Sequence, residues 1–388
     1  MSSSRPLYIG LALAAVLAGC QVRQPHDVEP SLPFAIDSST RTPVADGVVH
    51  RFLYSSDGPW AIHVLEARAD RCWTLAALKS SGGAIGRATT SDLARAAAGR
   101  SAVGGAVNAD FFLFTPPGVP VGLLVIDGRV VTGPVSQPAL AADSSGDVHI
   151  AEFQTRGHAV IGGARYDVRG WNRDIADGVA MFDGGWGATT DTATGVIEVV
   201  LARSDTYRVS LVDTTADGVP IPERGAVLRI GRGAPAAVRG AARGLTPGDR
   251  VELAVSLAPF HPREAVGGRP VLVRNGAVAA PLDTVGRAGF ATNRHPRTAA
   301  GLSRDGARIL LVTVDGRQAP YSDGMSLPEL AELMHSLGAV EAVNLDGGGS
   351  TAMVVPNAGG FRVANRPSDR GGERPVGNAV ALVRRCAE

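Results

Sequence analysis

A chain of 388 residues, 45% hydrophobic and 19% charged, has ordinary globular composition and ample apolar material for a core. A formal net charge of +1, with no basic run, argues against a nucleic-acid-binding protein. Glycine (49) and proline (25) are abundant and aromatics make up only 5%, which predicts many turns and short strands, not a helical bundle.

In chain order, Arg5 precedes an apolar run from Leu7 to Ala18 that is too short to span a bilayer. The run ends in Leu17-Ala-Gly-Cys20, which resembles the bacterial lipoprotein box. Residues 1–20 are therefore expected to be a lipoprotein signal peptide with Cys20 lipidated, anchoring the protein in the cell envelope. Gln21 in place of Asp fits the outer-membrane pattern if the cell is Gram-negative. Residues 21–45, rich in Pro, Ser and Asp, read as a tether, and 46–388 as the folded domain. With Cys20 lipidated, Cys72 and Cys386 remain in an oxidising compartment, where they form a candidate disulfide. The eight histidines show no His-x-x-His or His-x-x-x-His pair, so no structural zinc site is expected.

The first part of the domain reads as β-rich, with Trp60-Ala-Ile-His-Val-Leu65 and Cys72-Trp-Thr-Leu-Ala-Ala-Leu78 as strands. Thr89 caps a helix running to Ala98, and the apolar run from Ala102 ends in Asn108-Ala-Asp110 followed by Phe111-Phe112. Short strands and turns fill about 120–290, with a β-rich insertion or second lobe at about 195–258. Phe182-Asp-Gly-Gly-Trp-Gly187 reads as a structural turn. Arg308-Ile-Leu-Leu-Val-Thr-Val-Asp315 is a strand, and Ser326-Leu-Pro-Glu329 is a capping box opening a helix that Gly338 ends. A further strand then leads to Asp346. The helix between these strands suits a parallel crossover, which places Asp315 and Asp346 at strand carboxyl ends, where open α/β sheets build sites. Helix, Gly, strand and Ala-Val-Asn-x-Asp occur twice, at 91–110 and 327–346. The expected fold class is α+β: mixed β-sheets with few helices and two related αβ units around one cleft.

The richest stretch is Val343-Asn-Leu-Asp-Gly-Gly-Gly-Ser-Thr-Ala-Met353. Asn344 and Asp346 share one strand face, and three glycines begin where the strand stops. Ordering three glycines is entropically costly, so such a run marks positive φ or close approach of a ligand. Backbone N–H groups of Gly347, Gly348 and Gly349, with Ser350 and Thr351, suit an anion such as phosphate.

The ordered series Asn108-Ala-Asp-Phe-Phe112, Arg294-His-Pro-Arg-Thr-Ala-Ala-Gly-Leu302, Val314-Asp-Gly-Arg-Gln318, Asn344-Leu-Asp-Gly-Gly-Gly-Ser350 and Arg366-Pro-Ser-Asp-Arg-Gly-Gly-Glu-Arg-Pro-Val-Gly-Asn378 resembles the phosphodiester glycosidase family over roughly residues 80–384. The resemblance implies cleavage between a sugar's anomeric carbon and a phosphodiester oxygen. The phosphate monoester that leaves is a weak base, so one carboxylate plus a cation can suffice where glycosidases usually need two carboxylates. Asp346 is the expected nucleophile or base, with Asp315 second. Arg297 is the expected two-pronged phosphate clamp, with Arg317 and Arg366 as alternatives and His295 as a proton carrier. Asn108, Asp110 and Asn344 are expected to bind the sugar. No cofactor is expected; a carboxylate pair is compatible with Ca²⁺ or Mg²⁺, but no metal-binding loop is present. The expected partner is a phosphorylated sugar or glycan, either as a small conjugate or as an exopolysaccharide or teichoic-type polymer. A non-catalytic envelope lipoprotein that binds phosphorylated glycans would use the same cradle.

Overall fold

The computed structural model describes residues 32–69, 72–215, 217–282, 288–304 and 306–385. Cys20, the signal peptide, Cys386 and the first part of the tether lie outside the described residues.

Period-two alternation sorts each strand's side chains into two layers. An eight-stranded sheet runs in the order Ser38–Ala45, Val48–Ser55, Trp60–Arg68, Arg308–Val314, Arg297–Ser303, Ala339–Asn344, Val271–Arg274 and Ala277–Val278. A five-stranded sheet runs Gly360–Val363, Met353–Asn357, Val103–Asn108, Ala379–Arg384 and Trp73–Leu78. Leu65, Leu311 and Val343 of the first share one core with Val107, Met353 and Leu382 of the second. On the outer faces the alternate residues meet the helices. Val64, Leu310 and Ala342 pack on Leu330 and Met334 of the helix Leu327–Ser336, and Ala106, Val354 and Ala381 on Leu93, Ala94 and Ala97 of the helix Thr90–Ala98. The result is helix, sheet, sheet, helix, a mixed α+β architecture in which each helix leads into an interior strand of its own sheet. A second five-stranded sheet closes one side of the shared core with Leu124, Leu140 and Val266.

Local signals explain both helices. Thr89 accepts the N–H of Asp92, and Ser326 and Glu329 form a reciprocal capping box with Pro328 in the first turn. Gly338, just after the C-cap Leu337, takes φ +87°, which a side chain at that position would resist.

The expected parallel crossover is corrected in one respect. Arg308–Val314 and Ala339–Asn344 do run in the same direction, but Arg297–Ser303 lies between them, antiparallel to both. Asp315, Asp346 and the start of the Arg297 strand therefore reach the same sheet end without a direct parallel pair. That end meets the carboxyl end of Val103–Asn108, where Asp346 N–H donates to Ala109 O at 2.7 Å.

The strands expected at 195–258 lie inside a closed barrel that begins earlier, at Gln154, and ends at Ala258. It has its own core, built on Ile197, Val199, Leu201, Leu228 and Ile230. A helix not foreseen in the sequence, Ala236–Arg243, covers the barrel core with Val238 and Ala242. Buried Arg229 ties the barrel together, reaching Glu198, Asp174 and Asp191 at 2.7–2.9 Å with its guanidinium over Phe182. The Phe182–Gly187 segment is indeed a structural turn: Asp183 accepts from Trp171 Nε1, Asn172 Nδ2 and Gly185 N.

Cys72 is disulfide-bonded, and its carbonyl accepts the N–H of Arg385 at 3.0 Å, which brings the two ends of the domain together. The expected partner, Cys386, lies outside the described residues. Among the described residues no helix is long and apolar enough to cross a membrane.

Candidate active site

Asp346 lies two residues past the strand Ala339–Asn344 and lines a pocket of about 640 Å³. Burial raises its carboxyl to about 6, and the N–H of Gly347, bonded to Oδ1 at 2.9 Å, and the charge of Arg374 hold it from rising further. Ser350 Oγ lies close enough to act in the same direction but makes no hydrogen bond of good geometry. The glycine run follows as a short 3₁₀ turn, Gly348–Ser350. Gly348 takes φ +62° beneath the Arg317 guanidinium, whose nitrogens lie 3.2 Å from where a Cβ would sit. A Cβ on Gly349 would fall 2.1 Å from Arg374 Nη2 and 2.2 Å from Asp369 Oδ1. The glycines therefore let two guanidinium groups close on the loop.

The expected backbone anion cradle is corrected. Gly347 N–H binds Asp346 Oδ1, Gly348 N–H binds Pro296 O at 2.9 Å, and Ser350 N–H binds Gly347 O at 3.3 Å. The Gly347 and Gly348 N–H groups are thus engaged within the protein, and positive charge at the pocket comes from arginines. Thr351 is buried next to the turn and does not line the pocket.

Among the described residues four arginines line the pocket: Arg269, Arg297, Arg317 and Arg374. Arg297, the expected clamp, is only 3% exposed. Its Nε donates to Met325 O at 2.8 Å, and its Nη2 to Phe290 O and Asn293 O at 2.8 and 3.0 Å. Two of its three nitrogens are thus engaged by backbone, and a two-pronged grip on phosphate is not open to it. Burial, and next the charge of Arg317, lowers it to about 10, so it stays cationic at neutral pH. Arg317 is exposed and better placed. Its contact is His295 Nδ1 at 3.4 Å, and burial together with Arg297 and Arg317 lowers His295, which favours neutral imidazole there. Arg374 is held bidentately by Asp369, at 2.8 and 3.1 Å. Arg269 stacks over Phe111 at 5.4 Å, and its buried Nε makes no hydrogen bond. Arg269 and Arg374 were not expected from the sequence as lining residues; Arg374 lies in the Arg366–Asn378 motif, but nothing local marks either as facing Asp346.

Asp315 is not in the pocket. It is fully buried, and its carboxylate accepts from Asn365 Nδ2 at 2.9 Å, from Arg366 N at 3.0 Å and from Tyr321 OH at 3.2 Å. It holds the turn that carries Arg317. Arg366 places its guanidinium over Tyr321 at 5.2 Å, away from the pocket lining. Asn108 is also occupied: Nδ2 donates to Asp346 O at 2.6 Å, and Oδ1 accepts from Thr298 Oγ1 and Ala352 N. Asn344 donates to Arg269 O at 2.7 Å. Both asparagines join strand ends, and neither lines the pocket. Asp110 lies behind the pocket, 1% exposed; burial lifts its carboxyl to about 7, with Gly122 N–H and Arg173 opposing and Asp346 adding to the rise. Among the described residues no cluster of three or more His, Cys, Asp or Glu is placed to hold a metal ion.

The pocket thus brings the Asp346 carboxyl and several guanidinium groups together around one glycine turn. Residues 194–383 match the phosphodiester glycosidase family. The matched part holds Asp346 and all four pocket arginines and starts inside the barrel, so it covers the later part of the expected range. No curated protein matches the chain. Among solved structures, a hypothetical protein from Synechocystis is 23% identical with a TM-score of 0.75; the alignment covers 90% of this chain and 64% of that one, so this chain spans under two thirds of that protein's length. A Burkholderia pseudomallei protein described as exported is 28% identical with a TM-score of 0.65, over 84% of this chain and 74% of that one. The zebrafish N-acetylglucosamine-1-phosphodiester α-N-acetylglucosaminidase catalytic domain, auto-inhibited by its pro-peptide, is 15% identical with a TM-score of 0.46, over 93% of this chain and 86% of that one.

Proposed function

We propose that the protein hydrolyses the bond between a sugar's anomeric carbon and a phosphodiester oxygen, in a cell-envelope glycan or glycoconjugate. The observation that carries this reading is the placement of the Asp346 carboxyl and the exposed Arg317 guanidinium on one glycine turn. In the reaction the C1–O bond breaks, the phosphate monoester leaves with the electron pair, and water supplies the hydroxyl at C1. Arginine charge stabilises the leaving phosphate, so no strong general acid is needed. Asp346 acts at C1 as base or nucleophile and must be ionised. With its carboxyl raised to about 6, kcat/KM should climb as pH rises through about 6 and then level off. The envelope setting is supported by the lipoprotein-box-like Leu17–Cys20 segment and by the exported Burkholderia neighbour.

The test compares wild type with Asp346→Asn on a sugar-1-phosphodiester and on a simple alkyl glycoside of the same sugar. Wild type should cleave the diester far faster, and Asp346→Asn should lose roughly 10³-fold or more in kcat with the fold intact. Near-normal turnover by the variant removes Asp346 from the mechanism. Tight diester binding by wild type without turnover marks a glycan-binding protein instead.

A further inference from the structure

Four large hydrophobic residues are exposed among those described: Ile85, Leu113, Phe114 and Leu211. Two of them, Leu113 at 43% and Phe114 at 70%, line the candidate active-site pocket. Their exposure is imposed by the backbone. Leu113 N–H donates to Val119 O and Gly118 N–H to Leu113 O, both at 2.8 Å, closing the loop on itself. Gly86 N–H donates to Pro117 O at 2.8 Å, and Lys79 Nζ clamps Gly86 O and Gly118 O at 2.6 and 3.1 Å. Phe112 is buried beneath, its ring 5.5 Å from that of Phe114. A loop tied this firmly holds a phenyl ring in water, where it gains nothing for folding.

We propose that the wall formed by Phe111, Leu113, Phe114 and Phe290 seats the alcohol part of the phosphodiester, and that this alcohol is an apolar, hydrocarbon-bearing one. The inference rests on the proposed reaction. A sugar-1-phosphodiester has three parts. The anomeric carbon belongs at Asp346 and the phosphate among the guanidinium groups. The esterified alcohol must then continue past the arginines. Arg269 and Arg297 stack over Phe111 and Phe290, both at 5.4 Å, and these rings are 6.0 Å apart. The aromatic wall therefore begins where the cationic region ends and extends outward to Leu113 and Phe114. Phe111, Phe112, Leu113, Phe114 and Val121 carry no side-chain hydrogen-bonding group, and among the described residues Asn293 adds the one uncharged amide to the lining. Against Phe111, Leu113 and Phe114 a polar alcohol such as a second sugar would lose water without replacement bonds, whereas a hydrocarbon chain gains with each methylene covered.

The test uses methyl and hexyl esters of one sugar-1-phosphate, with wild type, Phe114→Ala and Leu113→Ser. Both substitutions are at exposed positions. Wild type should favour the hexyl ester by about 100-fold in kcat/KM, since each covered methylene is worth up to about fourfold. Phe114→Ala should reduce the hexyl-to-methyl ratio about tenfold, and Leu113→Ser by a smaller factor. Calorimetric binding of hexyl phosphate against methyl phosphate gives the same comparison without turnover, so it separates failure of this inference from failure of the hydrolase reading. Equal use and equal binding of both chain lengths by wild type overturn the proposal. So does a preference that Phe114→Ala leaves intact, or a dimer that Phe114→Ala dissociates while both alkyl phosphates bind alike.

Discussion

Asp110 and Asp346 sit where two strands end side by side, and burial lifts both carboxyl groups towards neutrality, to about 7 and about 6. Such shifts carry a cost in stability. The folded state binds the Asp110 proton more tightly than the unfolded chain, whose value is near 3.8. Its contribution is therefore fully present below about pH 4 and is lost as pH rises through 7. Asp110→Asn keeps the shape and removes the titration. We expect it to raise stability at pH 8 by on the order of 2–4 kcal/mol, an upper figure at about 1.4 kcal/mol per pKa unit, and to leave it nearly unchanged at pH 4. Thermal unfolding of both proteins at the two pH values checks this; a gain at pH 4 equal to that at pH 8 would refute the buried-charge explanation.

At the scale of the element, the turn from Asp315 to Asp323 decides where Arg317 lies. Arg317 itself is in the left-handed region at φ +59°, an unusual conformation for a long side chain, and the surrounding bonds must hold it there. Asp315 supplies them: its carboxylate binds the Arg366 backbone, Asn365 and Tyr321, while its carbonyl accepts Ser322 Oγ at 2.7 Å. His63 approaches from the neighbouring strand, its Nε2 3.6 Å from the carboxylate, and is itself bonded to His50. Removing the carboxylate strands several buried donors. Asp315→Ala should cost roughly 3 kcal/mol in denaturant unfolding and should also lower kcat/KM through misplacement of Arg317. If Asp315 instead acted at the anomeric carbon, Asp315→Asn would abolish turnover while costing little stability; the structure predicts that stability and activity fall together.

At the scale of the molecule, the barrel has a core of its own, while Ala180, Phe182, Val200 and Val227 of its strands join the core of the paired sheets, and polar contacts flank that junction. Asn172 Nδ2 donates to Val130 O, and Arg173 donates to the carbonyls of Gly133, Pro120 and Gly122. No residue of the barrel strands lines the pocket. Arg229 is the barrel's buried ion-pair centre, and truncating one partner of a buried cluster leaves the others uncompensated. Arg229→Ala should therefore destabilise the barrel by about 3–5 kcal/mol while, at temperatures where the protein remains folded, kcat/KM stays within about threefold of wild type. A loss of activity at full folding would show instead that the barrel orders the pocket from a distance.

The features legible in the chain were those with a local cause. The capping box at Ser326 and Glu329, the cap at Thr89, the alternation that divides each strand between two layers, and the glycine turn after Asp346 all follow from bonds and sterics within a few residues. The family resemblance was legible for the same reason, because its motifs are short runs. What the residues of those motifs do was decided by contacts the chain order does not display. Arg297 and Arg317 look alike as clamps in sequence, yet the carbonyls of Met325, Phe290 and Asn293 engage the first and leave the second exposed. Asp315 and Asp346 both end strands that point the same way, but Asn365, Tyr321 and the Arg366 backbone close over one while a pocket opens at the other. Closure of the barrel, the approach of Arg269 and Arg374 to Asp346, and the outward hold on Phe114 likewise depend on segments far apart in the chain. Hydrogen-bond donors and apolar surface are assigned to partners only when the whole chain competes for them, so composition and spacing determine the elements and tertiary packing determines which side chains remain available for chemistry.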